Sequence, residues 1–559
     1  MTSKRFLFIF SGLLTTVTFL GRHQNFLVLS LFLSWLMLIL FTRTDFFRVL
    51  SEKIMASGDL FKIFVLMVAL VVAWSMTSQT YDNAIARALM RNPQVYHLPL
   101  QALYFLFALG SSYFLFYYLS WFYLFFLEPL FSLSKERFDL TKKIARKTVC
   151  FACLLLVALL LLNNTTTVFF NPGMANLQAD HQYDGWFLDV IFQTDTDPLF
   201  PNYNVFIRDV PSSRQPLFSL FAFPFVAPLY AISSLLFFIP NLYPSFVVGL
   251  QFLLVFVSAF LVYDMVKEKL YYPKLFLTFY LSTYSILVFS LIIERFIFAL
   301  FYLITALYLY YYSKEKSYPA LLAATGTNAL SFLMICFLMG QNRVITWRQK
   351  SEFILKYLLI ILALLIVFGR LPLLFYSGTL EDSARWLTLE VGFLNQLQQF
   401  SEFIFASFVF PETMIDIRLF PRYEQAIVTR FNWIGVLIIA VCLLTAIKKR
   451  KDSFVQISIY WFGVSFTLLG LLGWSTSQHN LILFSSFFSF SFVYLLYLFL
   501  EEALKKFKWR KQLIVALIVA MLLYNLYGLT DLLRFAFTYY PSNGRLDLWF
   551  ISNSFVSNT

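Results

Sequence analysis

Apolar stretches of membrane-spanning length recur along the whole chain, and this pattern restricts the fold more than any motif does. About 20 apolar residues cross a bilayer as a helix, which satisfies its own backbone groups where water is absent. The candidate spans are 6–20, 25–42, 60–76, 99–127, 148–163, 216–238, 243–263, 273–292, 297–312, 318–340, 353–376, 431–447, 454–474, 480–500 and 512–527. The fold class expected is therefore all-α, a polytopic transmembrane helical bundle of about 12–15 spans. The first window is short and follows Lys4 and Arg5; with no clear cleavage site behind it, it reads as an uncleaved first helix. The window at 99–127 is long enough to tilt or bend.

Composition excludes a soluble alternative. The chain has 559 residues, is 60% hydrophobic and 13% charged, and has a mean hydropathy of +0.73. A soluble domain holds about 45–50% apolar and about 25% charged residues. The net charge of +13 does not indicate nucleic acid, because the cations form short clusters beside apolar stretches. They fall at Lys142–Lys147, Lys448–Lys451 and Lys505–Lys511, the pattern of cytoplasmic membrane loops facing lipid headgroups.

With those clusters inside, two long polar segments lie outside. The first external loop, 164–216, carries Asp180, Asp184, Asp189, Asp195, Asp197 and Asp209 against Arg208 and Arg214. The second, 377–430, mixes acidic residues with Arg385, Arg418, Arg422 and Arg430; its stretch Trp386–Phe403 is amphipathic and suited to lie on the membrane. The chain divides into N-terminal helices (1–147), a core of helices with the first loop (148–376), the second loop (377–430) and C-terminal helices with a tail (431–559). One conflict of parity remains. If 216–238 and 243–263 both cross fully, the lysine-rich Val266–Lys274 falls outside; a buried turn at Phe238–Tyr243, with one neighbour not crossing, would avoid this.

Chemistry concentrates in the first loop. Asp180 and Asp184 are spaced i,i+4 and share a face if helical, with His181 close by. Paired carboxylates raise one pKa, which suits a general base, or chelate a divalent cation. An acidic solvated loop is the bland reading. Asp195-Thr196-Asp197 could hold Mg²⁺ or Mn²⁺ against a pyrophosphate, or form a turn before Pro198. Arg208 and Arg214 close the loop; Arg214 sits where the chain re-enters lipid and could grip a carrier phosphate or snorkel to headgroups. Glu294, beside Arg295, lies at a hairpin between spans, where ionisable residues are functional candidates. Arg370 and His479, near external helix ends, are candidate phosphate or hydroxyl contacts. Cys150, Cys153, Cys336 and Cys442 lie in apolar runs and read as small helix residues. Asn163-Asn164-Thr165-Thr166 matches a glycosylation acceptor that matters only in a eukaryotic secretory pathway.

These residues resemble those of GT-C fold glycosyltransferases, multi-spanning enzymes that take sugars from polyprenyl-phosphate carriers. An acidic external loop (Asp180–Asp184) follows a span and ends in Arg-Gln-Pro-Leu-Phe-Ser (Arg214–Ser219), like the His/Arg-x-Pro-Leu-Tyr/Phe-Ser stretch of several such families. Ser290–Lys316 is similar to their acidic hairpin, aromatic helix and basic end. The likeness covers about residues 148–316. One departure stands out: four apparent spans precede the loop, where many members place the carboxylate after the first helix. The resemblance implies transfer of a sugar to a glycan, lipid or protein acceptor on the external face of a bacterial plasma membrane. Asp180 or Asp184 would be base or metal ligand, Glu294 a supporting group, and Arg214 and Arg370 phosphate ligands. Two readings compete. A polysaccharide polymerase or ligase would lean on the arginines of the second loop. A flippase or transporter for lipid-linked substrates would show broken helices, for which Thr325–Asn328 is the best sign.

Overall fold

The computed structural model describes residues 3–20, 45–80, 97–128, 130, 217–236, 238–239, 242–290, 295–312, 317–341, 346–367, 392–410, 414–416, 422–424, 432–473 and 484–539. The described residues are mostly helical, joined by turns, with one antiparallel pair of three-residue strands. In chain order the helices are α1 (Ser3–Leu20), α2 (Asp45–Ala56), α3 (Asp59–Thr80), α4 (His97–Phe122, running into a π turn at Tyr123–Leu127), α5 (Phe218–Leu235) and α6 (Leu242–Val266). Next come α7 (Pro273–Leu281), α8 (Tyr284–Phe289), α9 (Arg295–Tyr312), α10 (Tyr318–Thr327), α11 (Ser331–Gln341) and α12 (Trp347–Val367). After α13 (Phe393–Ala406) and strands β1 (Met414–Asp416) and β2 (Arg422–Glu424) follow α14 (Trp433–Lys448), α15 (Ser453–Ser465, with a π turn at Phe466–Leu471), α16 (Ser485–Ala503) and α17 (Arg510–Tyr539).

Five of these segments are long and apolar enough to cross a membrane: Phe246–Lys269, Arg295–Tyr312, Ser453–Leu471, Ser485–Ala503 and Arg510–Thr530. A sixth is added if the bent pair Phe47–Ala56 and Asp59–Trp74, which turns through 117°, counts as one span. The integral-membrane character read from the sequence thus holds. Two expected spans are interrupted. The window 273–292 breaks between α7 and α8 at Ser282-Thr283, and 318–340 breaks between α10 and α11 after Thr327.

The chain forms two compact units. The first comprises Met1–Ile144, Asp197–Tyr243 and Glu315–Thr379; the second comprises Ala145–Thr196, Pro244–Lys314 and Leu380–Thr559. In the first unit, α2 is amphipathic. Phe47, Leu50 and Ile54 recur at helical spacing and are buried with Phe8 and Tyr117. Gly58 leaves the chain free to turn before Asp59 starts α3. Lys53 reaches from α2 to the Leu124 carbonyl in the π turn (2.9 Å) and to Glu128 (3.1 Å).

In the second unit, α9 is the central helix: 78% of its window is buried, against 28% for the α17 window. The face of α17 bearing Leu513, Leu517, Leu523 and Tyr527 is exposed, the arrangement expected of a lipid-facing helix. Asn432 caps α14 by accepting from Gly435 N (3.0 Å), and Asp452 caps α15 by accepting from Phe454 N (2.7 Å). The stretch Trp386–Phe403, expected on the membrane surface, ends differently. Residues 393–394 are exposed, but Phe400, Phe403 and Ile404 are buried and pack α13 into the unit. Packing wins because the aromatic face of α13 meets Phe462, Phe466 and Phe492.

Candidate functional site

The expected site residues Asp180, His181, Asp184, Asp195, Asp197, Arg208, Arg214, Glu294, Arg370 and His479 lie outside the described residues, as do Cys150 and Cys153. The described chain resumes next to two of them, at Leu217 after the Arg214 segment and at Arg295 after Glu294.

The segment that follows Arg214 enters a fixed helix. Leu217 and Phe218 are buried, and Leu217 N donates to the Gly326 carbonyl (3.1 Å), an orphan acceptor at the C-terminal end of α10. Gly326 permits this approach: a Cβ there would lie 2.5 Å from Cε2 of Phe221. Helix α5 contains Pro224 and Pro228 yet stays helical. Each proline lacks an N–H, so the carbonyl four residues earlier loses its intrahelical donor. Those carbonyls belong to Leu220 and Pro224. Tyr118 Oη donates to the first and Tyr123 Oη to the second, the latter at 2.6 Å. Helix α4 therefore supplies both missing donors. Beyond α10, Asn328 Oδ1 accepts from Leu330 N (3.0 Å) and closes the turn between α10 and α11. Tyr357 Oη on α12 donates to the Leu321 carbonyl (2.8 Å) and lies against Thr325.

A second interruption lies inside the other unit. Helix α7 covers nine residues, about 14 Å of rise, so its break at Ser282-Thr283 falls well within a bilayer about 30 Å thick. Bare backbone groups at that depth need partners. The first N–H groups of α8 find them at the end of α13: Tyr284 N donates to Phe408 O (3.0 Å) and Ser285 N to Ser407 O (3.2 Å). The C-terminal end of α13 and the N-terminus of α8 thus meet head to tail, carbonyls against N–H groups. Asn525 of α17 completes the junction. Its Nδ2 donates to Ser282 O and Phe408 O, and its Oδ1 accepts from Phe410 N, each at 2.8 Å. Asn525 is buried. Its signal in the sequence was an amide with apolar residues for twelve positions before it, Leu513–Tyr524.

The second unit also resolves where Val266–Lys274 lies. Asp264, buried at the end of α6, pairs with Lys267 (2.7 Å) and accepts from Tyr308 Oη (2.9 Å). Lys269 pairs with Asp452 (2.6 Å) at the start of α15. Glu501, at the end of α16, accepts from Tyr271 N (3.0 Å) and Tyr272 N (2.6 Å). Arg510 Nη2 donates to Tyr272 Oη (3.1 Å), and Lys449 pairs with Glu502 (3.2 Å). Val266–Lys274 therefore shares one end of the unit with the clusters at 448–451 and 505–511. The 16-residue apolar helix Leu220–Leu235 rises only about 24 Å, short of a full span. Arg295, buried at the start of α9, lies at the opposite end from Tyr308 and the basic clusters.

Among the described residues no group of three or more His, Cys, Asp or Glu is placed to hold a metal ion. Cys442 is buried and directs its thiol to the Phe492 carbonyl (3.7 Å), a packing role. Comparison with protein-family models, with curated proteins and with solved structures gives no match.

Proposed function

We propose that this chain is an integral membrane glycosyltransferase of GT-C type, taking a sugar from a polyprenyl-phosphate carrier and passing it to an acceptor on the extracytoplasmic face during cell-envelope glycan assembly in bacteria. The observation that carries the reading is the acidic loop Asp180–Asp184 closed by Arg214-Gln-Pro-Leu-Phe-Ser, whose last residues enter a helix held by Gly326, Tyr118 and Tyr123. A helix start anchored this firmly suits a phosphate-gripping arginine just ahead of it, because catalysis by positioning needs a rigid support. Asp180 or Asp184 removes the acceptor hydroxyl proton as the bond to the sugar forms and the carrier phosphate leaves. Arg214 stabilises the phosphate, with Arg208, Arg370, His181 and His479 as further contacts and Glu294 supporting the carboxylates. Mg²⁺ or Mn²⁺ held by Asp195 and Asp197 is the cation such a pyrophosphate or phosphate donor would take.

A second reading has its own support. The interruptions at Ser282-Thr283 and at Thr327–Leu330, with the head-to-tail junction of α13 and α8, are features of transporters built from discontinuous helices. On this reading the lipid-linked sugar is moved across the membrane and left intact. One experiment separates the two. The purified protein is reconstituted in liposomes with a labelled polyprenyl-phosphate sugar and a glycan or lipid acceptor. Label moving from carrier to acceptor supports transfer. Intact donor appearing in the other leaflet, with no glycosylated product, overturns the enzyme reading in favour of translocation.

A further inference from the structure

The basic end of the second unit carries more positive charge than its fold uses. Three segments meet there: 266–274, 448–453 and 501–511. Apart from the exposed Glu268, the carboxylates at this end are consumed internally. Asp264 serves Lys267 and Tyr308, Asp452 serves Lys269 and the α15 cap, Glu501 serves two backbone N–H groups, and Glu502 serves Lys449. Between the ends of α14 and α15, Lys448, Arg450 and Lys451 are exposed. Between α16 and α17, Lys505, Lys506, Lys508 and Lys511 are exposed as well. Among the described residues none of these cations pairs with a carboxylate.

Aromatic residues are interleaved with them. The run Lys505-Lys506-Phe507-Lys508-Trp509-Arg510 leaves Phe507 59% and Trp509 65% exposed, and Tyr271 beside it is 57% exposed. Phe507 and Trp509 are therefore not part of the packed interior. The loop that presents them is held in place, because the Arg510 guanidinium sits 4.7 Å from the Tyr271 ring and 4.8 Å from the Tyr272 ring. Side chains of this kind sit at headgroup level, with the ring in the acyl boundary and the neighbouring ammonium groups on phosphate.

We propose that this end of the unit is a docking surface for anionic glycerophospholipid headgroups, with Phe507 and Trp509 inserted among the lipids and the exposed lysines of both loops on their phosphates. Charge complementarity selects the partner: excess ammonium and guanidinium groups gain more from a net negative headgroup than from a zwitterionic one, whose phosphate is offset by its own cation. The proposal does not depend on the sugar-transfer reading.

The test uses the full-length protein, exchanged into nanodiscs containing equal phosphatidylglycerol and phosphatidylcholine. The lipid retained after transfer to detergent is counted by native mass spectrometry. The wild type retains phosphatidylglycerol preferentially, and raised salt weakens the preference. At about 1 kcal/mol per basic residue near an anionic surface, the triple variant K505Q/K506Q/K508Q lowers the preference about tenfold to a hundredfold. A second variant, F507S/W509S, keeps all charges; it retains the anionic preference but holds fewer lipids of both kinds. Equal retention of the two lipids by the wild type overturns the proposal, as does a salt-independent preference. The wild-type salt series decides the matter even if the triple variant fails to fold.

Discussion

Replacing Asn525 with alanine removes a buried side chain that ties α17 to the α7–α8 break and to the chain after α13. The amide makes three hydrogen bonds, to Ser282 O, Phe408 O and Phe410 N, all at 2.8 Å. Phe408 O keeps a second donor, Tyr284 N, so its loss is partial. Phe410 N and Ser282 O lose the Asn525 bond outright. A buried backbone group left unpaired costs about 1–3 kcal/mol, whereas single hydrogen bonds between membrane helices average only about 0.6 kcal/mol and reach about 1.7. Three bonds with no water to replace them place the loss at about 2–4 kcal/mol. Asn525→Asp keeps the acceptor for Phe410 N but loses both donors and adds a buried charge, so it falls at least as far. Thr530→Ala, which removes only a local bond to the Tyr527 carbonyl on an exposed turn, is the control and changes stability by less than about 0.5 kcal/mol. The assay is thermal unfolding in mild detergent followed by size-exclusion chromatography, read as the shift in apparent Tm between variants in one buffer. An Asn525→Ala protein as stable as the Thr530→Ala control refutes the reasoning, because the broken-helix junction would then hold without its central amide.

Other outcomes follow from the same structure. Tyr118→Phe and Tyr123→Phe each leave a proline-orphaned carbonyl without its donor, and each lowers stability by about 1–2 kcal/mol in the same unfolding assay. Gly435→Ala is more severe: the added methyl would overlap the Ser401 carbonyl where α14 crosses α13, so one helix must move, and the loss of folded protein is visible by chromatography. Glu501→Ala strips two backbone N–H groups of their acceptor and costs about 2–4 kcal/mol, while Glu501→Gln, which keeps a carbonyl oxygen, costs less than half as much in parallel melts.

The sequence conveyed the solvent better than the topology. The window 243–263 reads as a span from hydropathy alone, and the structure has a helix there, Phe246–Lys269, long and apolar enough to cross a membrane. The interruption after Thr327 was legible because Gly326 and Asn328 are poor helix residues, and Asn328 supplies its own turn bond. The break at Ser282-Thr283 was not legible, since serine and threonine are ordinary in membrane helices; what makes it tolerable is distant in sequence, at residues 407–410 and at Asn525. Pro224 and Pro228 are the opposite case, inside a window read as one span, 216–238. They suggest a broken helix, and tyrosines about a hundred residues away keep it whole. That Val266–Lys274 shares an end with the clusters at 448–451 and 505–511 likewise needed Glu501 and Asp452 to show it. The candidate site was read from residue types and short spacings in 180–214, with Glu294, Arg370 and His479 added from their places beside spans; these positions lie outside the described residues, so their chemistry rests on the sequence and on the anchored helix that follows.

The proposed reaction requires Asp180 or Asp184 to act on a phosphate-tethered sugar. The most direct measurement is the rate at which the purified full-length protein moves label from a polyprenyl-phosphate sugar to acceptor, compared between wild type and the matched variants Asp184→Asn and Asp180→Asn with equal expression and chromatographic profile. Loss of one required base or ligand should lower the rate at least a hundredfold in one of the two variants. Full transfer by both would contradict the assignment.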